Sequence, residues 1–444
     1  MKKDYVILII SFLIISSSLH AQKWTTYTPQ NTNYQLPDNN ANNLATDANG
    51  NIWIGTSFAG LVKFDGTNWT NYNPNNSPMK DRSVTGLCVY NNIVWAGTYS
   101  YGLFKFDGSN WVNYTAANSG ILNDQSYCVT ADAGGNIWVG INNGNVSNSG
   151  VVKFNGLTTW TPSTFYDAYN YQTVEAIAVD RQGNIWCGTR VGAFRFNGTG
   201  WNQYTKENTN GGLCGSYVRE INVDASGNVW FGCMDKDPAT GYFIEGGLSK
   251  FTGSTWSNYK PSGGGLTNGY VSAIAFKGSD VWVGTGFCGQ YGGKGLYKFN
   301  GSSWTNYVND NSTFPTTCVN DLVVDKNGNL WIGSASGLTK LDFNPVDVEN
   351  TESLPTSFSL SQNYPNPFNP ETIINYQLPV SSFVTLKIYD ALGRQVATLV
   401  NEFQTAGIHH STFSTLHSSL ASGIYFYKLQ SGSFVDVKKM MLVK

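Results

Sequence analysis

Histidine is the usual carrier of acid–base and metal chemistry, and its placement here excludes much of it. The chain of 444 residues has four His, namely His20, His409, His410 and His417. None falls between Gln22 and Pro345. That stretch therefore has no imidazole for a Ser-His-Asp triad, a His general base or an ordinary catalytic zinc site. Carboxylates remain, and Glu175, Glu220 and Asp321 could include an acid/base pair. Arg82, Arg190 and Arg219 could offer fork-shaped contacts to a carboxylate. A set of aromatics (Phe58, Tyr99, Tyr101, Phe165, Tyr166, Tyr169, Tyr171, Tyr242, Phe243, Phe287 and Tyr291) falls in segments that also carry Asn, Asp and Arg. Apolar ring faces beside such donors and acceptors suit sugar rings. Asp47, Asp132, Asp180, Asp224 and Asp325 recur at one turn, "DANGN" or "DASGN", and read as turn formers. The turn lacks enough oxygen ligands at fixed spacing for a calcium loop. No metal and no cofactor is expected.

The elements that position these residues repeat. One tryptophan series opens "NIWIGT" (Trp53, Trp95, Trp138, Trp186, Trp230, Trp282, Trp331) and another opens "WTNY" (Trp24, Trp69, Trp111, Trp160, Trp201, Trp256, Trp304), together all 14 Trp of the chain. Spacings of 41 to 55 residues lie in the range of propeller blades. Each unit holds four strand patterns: an apolar-leaning run such as "VEAIAVD", then "NIWIGT", "GLVKFDG" and "WTNY". An orphan fourth strand, "KWTTYT" around Trp24, comes first, and the last unit stops without its own "WTNY". The first strand must complete the last unit, closing a ring of seven blades and removing open sheet edges.

These units resemble the two-component regulator propeller family, whose repeats carry "D..GNIW.GT..GL..F", over residues 22–345. The resemblance implies a propeller often fused to a membrane helix and a histidine kinase. Neither is present here, so phosphotransfer signalling is not carried over. In a blade, the first-to-second and third-to-fourth turns share one face and the other connections share the opposite one. The first set barely varies, whereas the second ranges through "GINNGNVSNSG", "CMDKDPATGYFIEGG" and "TGFCGQYGGKG". Function concentrates in such loops on a rigid scaffold. Five residues before each turn Asp, and at the matching place in the other units, stand Asn42, Thr85, Tyr127, Glu175, Arg219, Ser272 and Asn320. They are polar, differ between units, and should ring the channel mouth. The expected ligand-binding set is Phe58, Arg82, Tyr99, Tyr101, Tyr127, Tyr169, Tyr171, Glu175, Arg190, Arg219, Glu220, Tyr242, Phe287, Tyr291 and Asp321, with no catalytic residue assigned.

Residues 346–357 read as a linker, and alternation in "FVTLKIYD" and "GIYFYKLQ" predicts a small Ig-like β-sandwich over 358–444. "NYPNPFNP", "LGR", "SGIYFYKL" and "KKMMLVK" resemble the C-terminal sorting domain of the type IX (Por) secretion system. The resemblance implies passage across an outer membrane, with the domain serving as an address for the secretion machinery. The N-terminus agrees: Lys2 and Lys3, the apolar run Tyr5 to Ile15 and Ala21 form a signal peptide, residues 1–21. Its apolar run is too short for a stable membrane span. A net charge of −2 leaves no electrostatic footprint for nucleic acid. The seven Cys read mainly as structural thiols of unassigned pairing. The expectation is thus an all-β, monomeric protein, secreted or held at the cell surface, binding glycan or peptide. A carboxylate- or Tyr-dependent polysaccharide hydrolase or lyase, and a structural or adhesive surface component, stand as alternatives.

Overall fold

Each letter of the repeated D-x-x-G-N-x-W-x-G-T has a structural task. In the first unit the Asp47 carboxylate accepts the backbone N–H groups of Asn49 and Asn51, the Asn51 side-chain amide and the Trp53 indole N–H at 3.0 Å. Gly50 supplies the positive φ (89°) that lets the turn close. The indole bond recurs at Trp138, Trp186, Trp230 and Trp331, each at 2.9 Å. Burial alone would raise such carboxyls, but these donors hold Asp47, Asp132 and Asp224 below the ordinary value. Across the hairpin a cation lies over the other side of the same ring. Lys63 stands 5.7 Å from the Trp53 centroid, and equivalent cations cover all seven tryptophans of this series. Two units lack the turn Asp. In one of them the buried Trp282 indole N–H finds no hydrogen-bond partner.

The glycine of "WxG" is a close-approach position. A Cβ on Gly97 would sit 2.4 Å from the Ser126 carbonyl, and one on Gly333 2.7 Å from the Ala41 carbonyl, both on the next unit's first strand. The hydroxyl after it closes the next loop, as when Thr56 Oγ1 donates to the Gly60 carbonyl at 2.9 Å.

The computed structural model describes residues 22–142, 150–163, 173–236, 243–261, 265–286, 292–308, 312, 314–343, 357–416 and 420–443. The expected leader lies outside them. Contacts divide the chain into two units, Met1–Asn344 and Pro345–Lys444. The first holds seven four-stranded antiparallel sheets, the blades. Blade 1 comprises Ala41–Thr46, Ile52–Thr56, Leu61–Phe64 and Trp69–Tyr72. The innermost strands of blades 2 to 7 are Val84–Tyr90, Ser126–Ala131, Ala176–Val179, Tyr217–Val223, Val271–Lys277 and Val319–Val324. Blade 7 is completed by the N-terminal strand Lys23–Tyr27, antiparallel to Gly337–Asp342 with Trp24 opposite Leu341. Trp331 of that blade packs in one cluster with Ile54 and Phe64 of blade 1, so the ring is closed by core as well as by hydrogen bonds. Trp69, Trp111, Trp160 and Trp304, which open their fourth strands, stack on the preceding strand's Phe, as Trp69 does on Phe64 at 4.2 Å.

The second unit is a β-sandwich. One sheet orders Ser359–Leu360, Glu371–Leu378 and Gly407–Ser414, and the other Gln395–Gln404, Ser382–Asp390, Gly423–Ser431 and Phe434–Leu442. Leu386, Ile388, Tyr427 and Leu429 from one sheet share a core with Ile374 and Tyr376 from the other. The "NYPNPFNP" segment carries three cis prolines, Pro365, Pro367 and Pro370, and Tyr427 Oη accepts the Asn363 N–H at 2.8 Å.

Candidate functional site

The innermost strands depart from regular pairing at one place. Six of the seven carry a register shift that skips a single residue: Asn42, Thr85, Tyr127, Arg219, Ser272 or Asn320. In the remaining blade Glu175 stands just ahead of the strand, its N–H bonded to the Gly188 carbonyl. A bulge adds an unpaired residue and re-aims side chains. Here, in five of the six bulged strands, the bulge residue and its successor both reach the lumen. All seven of these positions line a central cavity of about 530 Å³, and Asn43, Cys128, Glu220 and Asp321 line it one residue further along.

On part of the ring these side chains serve the fold. Thr85 donates to the Ser126 carbonyl and Ser272 to the Val319 carbonyl, both at 2.6 Å, while Asn320 donates to the Ala41 carbonyl at 3.1 Å. Each bond ties one blade to the next. Blades 3 to 5 replace these small donors with Tyr127, Glu175 and Arg219. The Glu175 side chain is 2% exposed and accepts from Arg190 Nε at 3.0 Å and Arg219 Nη1 at 3.3 Å. A carboxylate this buried is held by its partners, and losing one would cost about 3–5 kcal/mol, less where the partner is as exposed as Arg190. The Arg190 guanidinium also covers the Tyr217 ring at 5.6 Å. Burial, with Glu175 adding to it, pushes the Tyr217 phenol up to about 12 and raises that of Tyr127.

Glu220 and Asp321 lie beyond this tier. Protein surrounds both, though part of each still faces the lumen. Asp321 accepts the backbone N–H groups of Leu44 and Leu322, each at 2.7 Å. Burial nevertheless pushes its carboxyl up to about 7. Glu220 is raised well above the ordinary range by burial and then by the charge of Asp321, with Arg219 opposing.

Beside the cavity, two loops present aromatics on one frame. Asp38 accepts the Asn40 and Phe58 N–H groups, and Asp81 likewise accepts those of Ser83 and Ser100. Each Asp thus brackets the connection entering a blade to that blade's second-to-third loop, which puts the two kinds of loop on one face. Phe58, 70% exposed, lines the cavity, and Tyr99 and Tyr101 are exposed on the neighbouring loop.

Among the expected site residues, then, Phe58, Tyr127, Glu175, Arg219, Glu220 and Asp321 border the cavity, and Arg190 joins them through Glu175. Arg82 does not line it; its carbonyl accepts the Gly60 N–H. Tyr169, Tyr171, Tyr242, Phe287 and Tyr291 lie outside the described residues, as do Phe165 and Tyr166. Asn40, Asn43, Ser57 and Tyr217 had not been singled out. A readable signal existed for Asn43, because adjacent polar residues (Asn42-Asn43, Arg219-Glu220, Asn320-Asp321) break the alternation of an inner strand. Five cysteines, Cys88, Cys128, Cys187, Cys214 and Cys233, are free thiols, and Cys318 is disulfide-bonded. No helix among the described residues is long and apolar enough to cross a membrane, and no group of three or more potential metal ligands occurs among them.

A closed propeller with a cavity at its centre, followed by a β-sandwich, defines the class of protein. Residues 35–58 and 313–336 match the two component regulator propeller repeat, and residues 362–444 match the secretion system C-terminal sorting domain. That domain makes the chain a secreted or cell-surface propeller protein. The fold is similar to the extracellular domain assigned to a hybrid two component system of B. thetaiotaomicron (TM-score 0.57, 16% identity, 94% of this chain and 57% of that one). It is also similar to PorZ, a surface component of the type-IX secretion system of Porphyromonas gingivalis (TM-score 0.55, 17% identity, 92% and 60%). Streptogramin B lyase matches the propeller (TM-score 0.53, 16% identity, 72% and 97%). The chain thus spans somewhat over half the length of the first two. No curated protein matches it in sequence.

Proposed function

We propose that the propeller is a non-catalytic binding module that recognises a glycan at the mouth of its central cavity. The observation that carries this reading is the set of exposed aromatics, Phe58, Tyr99 and Tyr101, beside a cavity lined with hydroxyl, amide, carboxylate and guanidinium groups. Water does not favour an apolar ring held in place by backbone hydrogen bonds and left bare, whereas a sugar face covers it. The lumen groups then supply the directional contacts that hydroxyls require. Phe58→Ala removes a ring mostly in solvent, so the melting temperature should stay close to that of the wild type. Affinity should fall by about 1–2 kcal/mol, roughly 5- to 30-fold, in titrations against oligosaccharides selected on a glycan array. If neither the array nor a panel of surface peptides yields a ligand, the reading fails.

A second reading is supported by Glu220 and Asp321, two carboxyls that share the lumen and are raised by burial. A hydrolase or lyase working through them would release reducing ends or unsaturated products from polysaccharides. Their absence, with binding retained, leaves the binding module.

A further inference from the structure

Cys214 and Cys233 meet in blade 5. Cys214 lies in the connection between Trp201–Tyr204 and Tyr217–Val223, and Cys233 in the second strand, Val229–Lys236. Both are buried in one apolar cluster, close enough for each thiol to influence the other, and the Cys233 thiol also donates to the Phe231 carbonyl at 3.8 Å. The surrounding backbone keeps them together. The Cys214 N–H donates to Ser249 Oγ at 2.9 Å, and a Cβ on Gly215 would meet the Met234 carbonyl at 2.3 Å. Lys206 and Asp235 form an ion pair between the same two segments. Cys318 shows that this chain carries a disulfide elsewhere in the ring.

We propose that Cys214 and Cys233 are a disulfide-forming pair, oxidised in the exported protein, and that the bond staples the entry loop of blade 5 to its second strand. The oxidant is the disulfide form of an exported dithiol oxidoreductase. The Cys214 thiolate attacks one sulfur of that disulfide and forms a mixed disulfide, releasing the oxidant's other sulfur as a thiolate. Cys233 then gives up its proton and attacks Cys214 Sγ, which releases the oxidant as a dithiol. Two protons and two electrons leave the pair, and one S–S bond replaces another. Burial raises both thiols, but the contacts with Cys233 and Ser249 and the charge of Lys260 leave Cys214 below its ordinary value, while Cys233 stays well above. Because both sulfurs are sealed in the folded blade, exchange precedes its closure. The stapled loop encloses Tyr217, Arg219 and Glu220, so the bond braces a strand that lines the cavity.

The test uses the full chain expressed with its leader and exported. The protein is denatured in an alkylating reagent without reductant and digested with trypsin. The expected product is the peptide Glu207–Arg219 linked to Glu220–Lys236, separating on reduction. Recovery of both peptides as separately alkylated thiols overturns the proposal. The double variant Cys214→Ser, Cys233→Ser supplies a second readout, because it and the wild type share the Cys318 bond. Reductant should lower the melting temperature of the wild type by more degrees than that of the variant. Equal losses overturn the proposal. If the variant does not fold, the wild-type peptide map alone decides.

Discussion

The two lumen carboxyls predict an unusual pH dependence of stability. A carboxyl whose folded pKa is raised binds its proton more tightly in the folded state than in the unfolded one. Stability from that proton is complete below the unfolded value and is lost as pH rises through the folded value. For Asp321 the window runs from 3.8 to about 7, and Glu220 acts in the same direction. About three pH units at ~1.36 kcal/mol each sets a ceiling of roughly 4 kcal/mol for Asp321, and lumen water reduces it to about 2 kcal/mol. The turn carboxylates have the opposite sign. Asp47, Asp132 and Asp224 are lowered, so their contribution is present above the unfolded value and is lost only as pH falls below about 4. Stability should therefore peak near pH 4 and decline as pH rises through about 7. The assay is urea unfolding at pH 5, 6, 7 and 8 followed by tryptophan fluorescence, which reports the propeller alone because every Trp lies between Trp24 and Trp331. Glu220→Gln keeps the shape and removes the charge. It should flatten part of the decline and raise stability at pH 8 relative to the wild type. A wild-type stability that is level or rising from pH 5 to 8, or a variant with an unchanged slope, would refute the reasoning.

Two further substitutions test the blade itself. Asp132→Ala strips the Trp138 indole and the Asn136 amide of their acceptor, leaving buried donors unpaired, and should cost about 1–3 kcal/mol in urea unfolding at pH 7 without altering ligand affinity. Gly97→Val forces a side chain against the Ser126 carbonyl and should destabilise by about 3 kcal/mol, and a variant as stable as wild type would mean that the blades are not packed as described.

Much of the architecture was legible because it is periodic. Fourteen tryptophans at blade spacing, and a fourth strand with no partners before it, leave a closed ring as the arrangement without an open edge. The polar letter five residues before the turn Asp marks the lumen, since it recurs in place while varying in kind. Other features were not legible. The cations over the second-strand tryptophans sit nine to twenty residues away in sequence and become partners only once the hairpin sets Trp53 opposite Lys63 or Trp230 opposite Lys250. The "WxG" glycine looks like a flexible letter in the sequence, yet it is compelled by a strand belonging to the next blade.

By itself, the sequence determined the repeat, the strands, the closing partner and the second domain, because turn chemistry and hydrophobic alternation act over a few residues and report locally. Only the tertiary structure decided what the polar residues of the inner strands do. Thr85, Ser272 and Asn320 are consumed in joining blades, while Glu175 is enclosed by two arginines from different blades and Asp321 is held by an N–H of blade 1. Closing a ring brings together residues hundreds of positions apart and shuts most of the water out between them. Their charge states and partners are therefore properties of the closed ring.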